Sequence, residues 1–174
     1  MKRILYLLLG AVIFTTACQT NTELTLTDAD KNVIVETIKQ TSDEFWSLWK
    51  EPYDSVYAEN ILKFMNQNFA ETWQSEAVFA SQGINLVKSL EDYQNSWETA
   101  ITRRISTSFS NFESYYSVLS KNKVLEVTKE DYFVTRLDST VGPLYNGITT
   151  IIWGRVDGEW KVQYMHLSWG RKPE

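Results

Sequence analysis

The hydrophobic period of this chain changes near Arg104, and no other feature constrains its fold as strongly. Before Arg104, apolar residues recur three and four positions apart, as on one face of an amphipathic helix. After it, apolar and polar residues alternate with a period of two, and Ser, Phe, Tyr and β-branched residues predominate, as in strands. This order predicts an α+β fold in which N-terminal helices pack on an antiparallel sheet.

Three helices are predicted before the change. Thr27 and Asp30 have the spacing of a capping box, in which two side chains three residues apart cap the start of a helix. Ser89 and Asp92 have the same spacing, and Pro52 ends the first helical stretch. A short strand is expected at 78–80. The predicted helices cover residues 27–51, 57–69 and 89–101.

Four strands are predicted after the change, connected as an antiparallel meander. Asp157-Gly158 is the sequence of a tight two-residue hairpin turn. Gly142-Pro143 and Asn146-Gly147 are also strong turn sequences and predict a longer loop over 138–147. The predicted strands cover residues 105–119, 124–137, 148–156 and 159–169.

The N-terminus predicts export and membrane attachment. Lys2 and Arg3 precede an apolar run over 4–14, which is typical of a signal peptide and too short to span a bilayer. Residues 15–18 (Thr-Thr-Ala-Cys) resemble a bacterial lipobox. The resemblance implies a signal peptide at 1–17, acylation of Cys18 to bind membrane lipid, a tether at 18–26 and a folded domain at 27–174.

The expected location is the bacterial cell envelope, lipid-anchored in the outer membrane and facing the periplasm. Gln19 is not the Asp that resembles an inner-membrane retention signal, and no acidic tract follows Cys18 as in some surface-exported lipoproteins.

Composition excludes several classes of function. The net charge of −5 is a poor match for nucleic acid, and loss of Lys2 and Arg3 makes the chain more acidic still. Cys18 is the only cysteine and His166 the only histidine. No disulfide, metal or cofactor is therefore expected. Seven Trp, nine Tyr and eight Phe provide ample material for an apolar core.

The hairpin over residues 148–168 carries a family resemblance. A β-branched strand ending in Trp153 is followed by Asp157-Gly158, Trp160-Lys161 and then His166 two residues before Ser168. This pattern is similar to that of SnoaL-like domains in the nuclear transport factor 2-like superfamily. The resemblance implies a curved sheet wrapped around helices as a cone with an internal pocket. The superfamily includes isomerases, cyclases, dehydratases and non-catalytic association domains.

Strand alternation predicts one inward face for the last strand, carrying Trp160, Val162, Tyr164, His166 and Ser168. A neutral imidazole at His166 suits general acid–base chemistry, and Tyr164 suits orientation of a ligand. These two are the candidate catalytic residues; a hydrogen-bonded His inside the core is the alternative. The predicted pocket comprises Trp153, Trp160, Tyr164, His166, Trp97 and Tyr132.

Sheet carboxylates are further candidates, but both strand faces mix polar and apolar residues, so their orientation is open. Tyrosines of the sheet offer hydroxyl donors, and tryptophans of the helical half either line a pocket or fill the core. The carboxylates are Glu113, Glu126, Glu130 and Asp131; the other candidates are Tyr115, Tyr116, Trp46, Trp49 and Trp73.

Three interpretations of function follow. The leading one is a lipid-anchored, non-catalytic domain whose cone binds a small apolar ligand or a protein partner. The second is an isomerase, cyclase or dehydratase that uses His166 and Tyr164. The third is an association module that forms a homodimer through its open sheet face.

Overall fold

A computed structural model of the chain describes residues 26–52, 54–79, 83–87, 89, 91–92, 95 and 104–172. The predicted signal peptide, Cys18 and most of the tether and of the third predicted helix lie outside these residues. Within the third helix, the Ser89 hydroxyl accepts a hydrogen bond from the Asp92 N–H at 3.0 Å, as its capping role predicts. Neither long helix of the described part is apolar enough to cross a membrane.

Two helices precede the sheet in the described ranges, α1 (Asp28–Leu48) and α2 (Ser55–Asn68). The predicted capping box of α1 is confirmed. The Thr27 hydroxyl accepts a hydrogen bond from the Asp30 N–H at 3.1 Å, and the Asp30 carboxylate accepts one from the Thr27 N–H at 2.9 Å. Helix α2 ends one residue earlier than predicted, because Phe69 adopts an extended conformation and begins a strand.

Six strands form one sheet: β1 (Phe69–Phe79), β2 (Gly83–Val87), β3 (Arg104–Ser120), β4 (Lys123–Arg136), β5 (Tyr145–Val156) and β6 (Glu159–Arg171). Their order across the sheet is β2-β1-β6-β5-β4-β3. The predicted α+β class and four-strand meander are confirmed. The β1–β2 hairpin is much longer than the expected short strand, and β1 joins the meander by parallel pairing with β6.

The inner face of the sheet, defined as the face toward α1 and α2, carries alternate residues of each strand. In β4 these are Val124, Glu126, Thr128, Glu130 and Tyr132, all of them buried. They pack with the buried faces of both helices. The core members that matter below are Phe45 and Trp46 of α1, Trp49 directly after this helix, Ile151 and Trp153 of β5, and Val162, Met165 and Leu167 of β6.

A β-bulge in β6 overturns the predicted alternation of that strand. Trp153 pairs with Val162, but the preceding Ile152 pairs with Tyr164, so Gln163 is an extra residue. A bulge shifts every later side chain to the opposite face. Gly154 makes room for it, because a Cβ there would lie 2.1 Å from the Gln163 Cδ.

Beyond the bulge the inner-face residues are Met165, Leu167 and Trp169, and the predicted inward positions of Tyr164, His166 and Ser168 are wrong. Met165 and Leu167 are 0% and 3% exposed, whereas Ser168 is exposed and His166 only half-buried. His166 pairs with Thr150, which alternates with the fully buried Thr149 and Ile151. Tyr164 and His166 therefore lie on the outer face.

Asn146-Gly147 is not part of a turn, contrary to the prediction. Both residues lie inside β5, where Gly147 pairs with Glu130 on one side and Trp169 on the other. A Cβ on Gly147 would lie 1.8 Å from the Trp169 Cδ1. Glycine is needed here so that the Trp169 indole can lie across the strand.

Candidate functional site

Two buried carboxyl groups face the helices from β4. Glu126 and Glu130 are each 0% exposed and stand on the same inner face. Four residues of strand separate them by about 13 Å along the backbone. A carboxyl group is rarely buried without partners, because burial disfavours its charged form. The partners of each group therefore indicate what it does.

Glu126 has hydrogen-bond donors on both oxygens. Its Oε1 accepts from the Ser42 hydroxyl at 2.5 Å and the Thr128 hydroxyl at 3.1 Å, and its Oε2 accepts from the Trp153 indole N–H at 2.8 Å. Burial raises the pKa of Glu126 above its ordinary value, and these hydrogen bonds offset part of that rise. Because Ser42 belongs to α1, this network fastens the helix to the sheet.

Within the part of the chain that the structure describes, Glu130 has donors on one oxygen only. Its Oε1 accepts from the Thr149 hydroxyl and from the Trp169 indole N–H, both at 2.8 Å. Its Oε2 is buried and has no hydrogen-bond partner among the described residues. Burial raises the pKa of Glu130, and the bonds from Trp169 and Thr149 offset the rise only in part. An unsatisfied buried carboxyl oxygen is costly, and in native proteins it often marks a functional position.

Aromatic rings surround this end of the inner face. The Trp169 ring lies 5.2 Å from that of Tyr132 and 6.4 Å from that of Trp49, measured between ring centroids. Tyr132 also stacks on Tyr145 at 5.3 Å and meets Phe109 at 6.1 Å. These five residues are called the aromatic wall below. Together with Glu130 they combine an apolar surface with one polar atom, as small-molecule sites do.

The other sheet carboxylates named from the sequence have structural surroundings. Asp131 accepts hydrogen bonds from the Asn111 amide and the Lys172 ammonium, both at 2.8 Å, and these bonds lower its pKa. Glu113 is exposed and accepts from the hydroxyl of Tyr115, which is 60% exposed. These groups tie neighbouring strands together or face solvent, and they do not contribute to the inner face beside Glu130.

Tyr116 stands opposite Glu126 on β3 and is half-buried. Burial and the neighbouring Glu126 carboxyl raise the pKa of Tyr116 to about 12. The phenol therefore stays protonated at neutral pH, and its buried hydroxyl has no hydrogen-bond partner among the described residues. Trp46 of α1 and Trp49, which follows the helix, are buried in the same core.

The structure does not bring the five described members of the predicted pocket together into one site. Trp153 is fully buried beside Glu126, and Tyr132 belongs to the aromatic wall. Trp160 lies on the inner side near the Asp157-Gly158 turn, with the Arg155 guanidinium 5.5 Å from its ring centroid. Tyr164 and His166 lie on the outer face. The side chains of Trp97 and Trp73 lie outside the described residues.

Sequence reasoning missed Trp169, Thr149 and Gly147 as partners of Glu130. The alternation from Val124 to Tyr132 was the available signal for the inward direction of Glu130, but Leu125 and Val127 make the opposite face equally apolar. Among the described residues, no three His, Cys, Asp or Glu side chains lie close enough to hold a metal ion. The arrangement can offer a ligand one carboxyl oxygen set in an aromatic surface.

Comparisons with known proteins identify the fold. No family model matches the sequence, and no curated protein matches it. Solved structures do match. A nuclear transport factor 2-like superfamily protein from Salmonella enterica serovar Typhimurium is 11% identical, with a TM-score of 0.62, over 83% of this chain and 96% of that one. A putative scytalone dehydratase from Novosphingobium aromaticivorans is 18% identical, with a TM-score of 0.55, over 80% and 86% of the two chains.

The association domain of Caenorhabditis elegans CaMKII is a third match, 10% identical, with a TM-score of 0.56, over 82% of this chain and 99% of that one. The chain therefore has the nuclear transport factor 2-like fold, as the hairpin resemblance predicted. The matched structures include an enzyme class and an association domain, and at this level of identity the fold does not choose between such functions.

Proposed function

We propose that this protein is a lipid-anchored, non-catalytic binding protein of the bacterial envelope. Its cone would take a small, largely apolar ligand against the aromatic wall, with Glu130 as the polar contact. Acylation of Cys18, attachment to the outer membrane and a periplasmic orientation belong to the same proposal. They rest on the N-terminal sequence pattern.

The observation that carries the binding proposal is that Glu130 Oε2 has no hydrogen-bond partner among the described residues. Glu126, on the same strand and face, has donors on both oxygens, so this fold can satisfy a buried carboxyl group completely. Glu130 instead leaves one oxygen unbonded by described groups, beside Trp169 and Tyr132. A ligand atom bonded to that oxygen would remove the cost of burying it.

The placement of His166 and Tyr164 argues against the enzyme alternative in its predicted form. Both lie on the outer face, whereas Glu126 and Glu130 lie on the inner face, so the sheet separates the imidazole from the buried acids. A general acid or base must come within hydrogen-bond reach of the reacting atom. No acid–base pair between His166 and an inner carboxyl group follows from this geometry.

The binding proposal is tested with the full-length protein purified in detergent. We expect the fluorescent apolar probe N-phenyl-1-naphthylamine to bind saturably and to quench tryptophan emission by energy transfer from Trp169 and its neighbours. Trp169→Ala, which removes a ring of the aromatic wall, should weaken binding about tenfold or more, whereas Glu113→Gln, which alters an exposed acid on β3, should not. Absence of saturable binding above empty micelles would refute the proposal. An equal effect of both variants would remove the aromatic wall from it.

Homodimerisation through the outer sheet face is a second candidate, supported by one observation. Ile148 is 49% exposed on this face, beside a surface cleft of about 340 Å³ formed with Lys129, Asn146, Ser168 and the glycines of β5 and β6. An exposed apolar patch is typical of an interface, and Tyr115, which is 60% exposed, stands on the same outer face. Sedimentation velocity should give a dimer that Ile148→Lys converts to a monomer; a monomeric parent would exclude it.

A further inference from the structure

We infer that the polar atom of the ligand is an uncharged hydrogen-bond acceptor, of the ketone or ester carbonyl class, which receives a hydrogen bond from the Oε2–H of Glu130. This inference rests on the proposed ligand site and adds the chemistry of the ligand to it. It follows from which atoms of Glu130 are already bonded.

The two donors on Glu130 determine where its proton resides. The Thr149 hydroxyl and the Trp169 indole N–H both donate to Oε1, so Oε1 acts as an acceptor only. An uncharged carboxyl group has one carbonyl oxygen, which accepts, and one hydroxyl oxygen, which donates. With Oε1 occupied as the acceptor, the proton belongs on Oε2, and the group that completes the site has to accept it.

The surroundings of Glu130 favour this uncharged form. The side chain is fully buried, and within the described ranges no Lys, Arg or His forms an ion pair with it. By contrast, Asp131 on the opposite face of the same strand is paired with the Lys172 ammonium at 2.8 Å. A buried carboxylate without a cation costs several kcal/mol, which neutralisation avoids.

A cationic ligand is the main competing class, because aromatic rings beside a carboxylate also suit an ammonium group. The two classes make opposite demands on Glu130. An acceptor ligand needs a hydrogen on the atom at the Oε2 position, and an ammonium ligand needs a negative charge there. Glu130→Gln separates them, since its amide keeps an acceptor for Thr149 and Trp169 and presents N–H donors, but carries no charge.

The experiment uses three naphthalene probes that compete with N-phenyl-1-naphthylamine on the full-length protein. The pair 2-acetylnaphthalene and 2-isopropenylnaphthalene have nearly the same shape and differ in C=O against C=CH₂; 2-naphthylmethylammonium carries the charge. We expect the ketone to bind about tenfold more tightly than the alkene. Glu130→Gln should retain that preference within about threefold, and Glu130→Met should abolish it. If Glu130→Met does not fold, the ketone–alkene comparison on the parent and on Glu130→Gln still decides.

Each other outcome has a distinct meaning. If N-phenyl-1-naphthylamine itself does not bind, the proposed function fails. If ketone and alkene bind equally, the site is apolar only or Oε2 bonds to water, and the inference is overturned while the binding function stands. If the ammonium probe binds best and Glu130→Gln abolishes its binding, Glu130 is ionised and the ligand class is wrong.

Discussion

Gly147→Ala is the substitution that most directly tests how Trp169 reaches Glu130. The added Cβ would lie 1.8 Å from the Trp169 Cδ1, 2.6 Å from its Nε1 and 2.9 Å from its Cγ. No side chain tolerates such contacts, so the indole has to leave its position. The Trp169–Glu130 hydrogen bond of 2.8 Å and the ring contact with Tyr132 should both be lost.

The expected cost combines two terms. Overpacking a well-packed site costs about 1–3 kcal/mol, and removing one donor from a buried carboxyl group costs about 1–3 kcal/mol. We therefore expect the free energy of unfolding to fall by about 2–6 kcal/mol. For a domain of this size that corresponds to a decrease in Tm of roughly 5–20 °C.

The assay is thermal and urea unfolding followed by far-UV circular dichroism, which does not depend on Trp169 emission. Gly170→Ala is the matched control, because a Cβ there would meet only the Asn146 Oδ1 at 3.9 Å, an ordinary contact. It should change stability by less than about 0.5 kcal/mol. In a Trp169→Ala background, Gly147→Ala should lose most of its cost, since the clashing ring is gone. A cost that is unchanged by Trp169→Ala would show that the effect arises elsewhere, and the proposed geometry would be wrong.

Three further predictions test the anchor, the core and the buried acids. Cys18→Ser should move the protein from the membrane to the soluble fraction, and intact mass should show acyl chains and loss of residues 1–17 only in the parent; an unacylated parent would contradict this. Trp153→Ala should cost about 3–5 kcal/mol, and half-buried Trp160→Ala clearly less; urea melts giving equal costs would contradict the burial of these rings. Burial raises the pKa of Glu126 and Glu130 above the ordinary 4.5, so the folded state holds protons that the unfolded chain releases. The contribution of these two carboxyl groups to stability should therefore be full below about pH 4.5 and lost as the pH rises through the raised pKa values. The double variant Glu126→Gln/Glu130→Gln should flatten this decline above pH 4.5 in urea titrations, and an unchanged slope would exclude these two groups as its source.

Local sequence signals determined α1, α2 and the four strands of the meander in their order, but not the long β1–β2 hairpin. Residues 27–30 start α1 because a capping box satisfies orphan N–H groups with atoms three residues away. Asp157-Gly158 forms the hairpin turn because both residues adopt positive φ, 52° and 87°, which this dipeptide accepts readily. The hydrophobic period changes at Arg104 because side chains of a helix and of a strand repeat with different periods. The pattern alone therefore predicted the α+β class. These features depend on neighbours in the chain, so the sequence alone sufficed.

Tertiary contacts decided which side chains face the helices. Gln163 bulges out because Gly154 on the adjacent strand leaves room, and that single extra residue turns Tyr164 and His166 outward. Gly147 lies in a strand rather than a turn because the Trp169 indole from the next strand occupies its side-chain space. The inward direction of Glu130 follows from the pairing of β4 with β5, which places it beside Thr149 and Gly147. Alternation along a strand defines two faces, but it does not say which face is buried when both carry polar and apolar residues. A bulge cannot be predicted until the partner strand is known. The physical basis of the site is therefore the register between strands, which the sequence of any one strand does not contain.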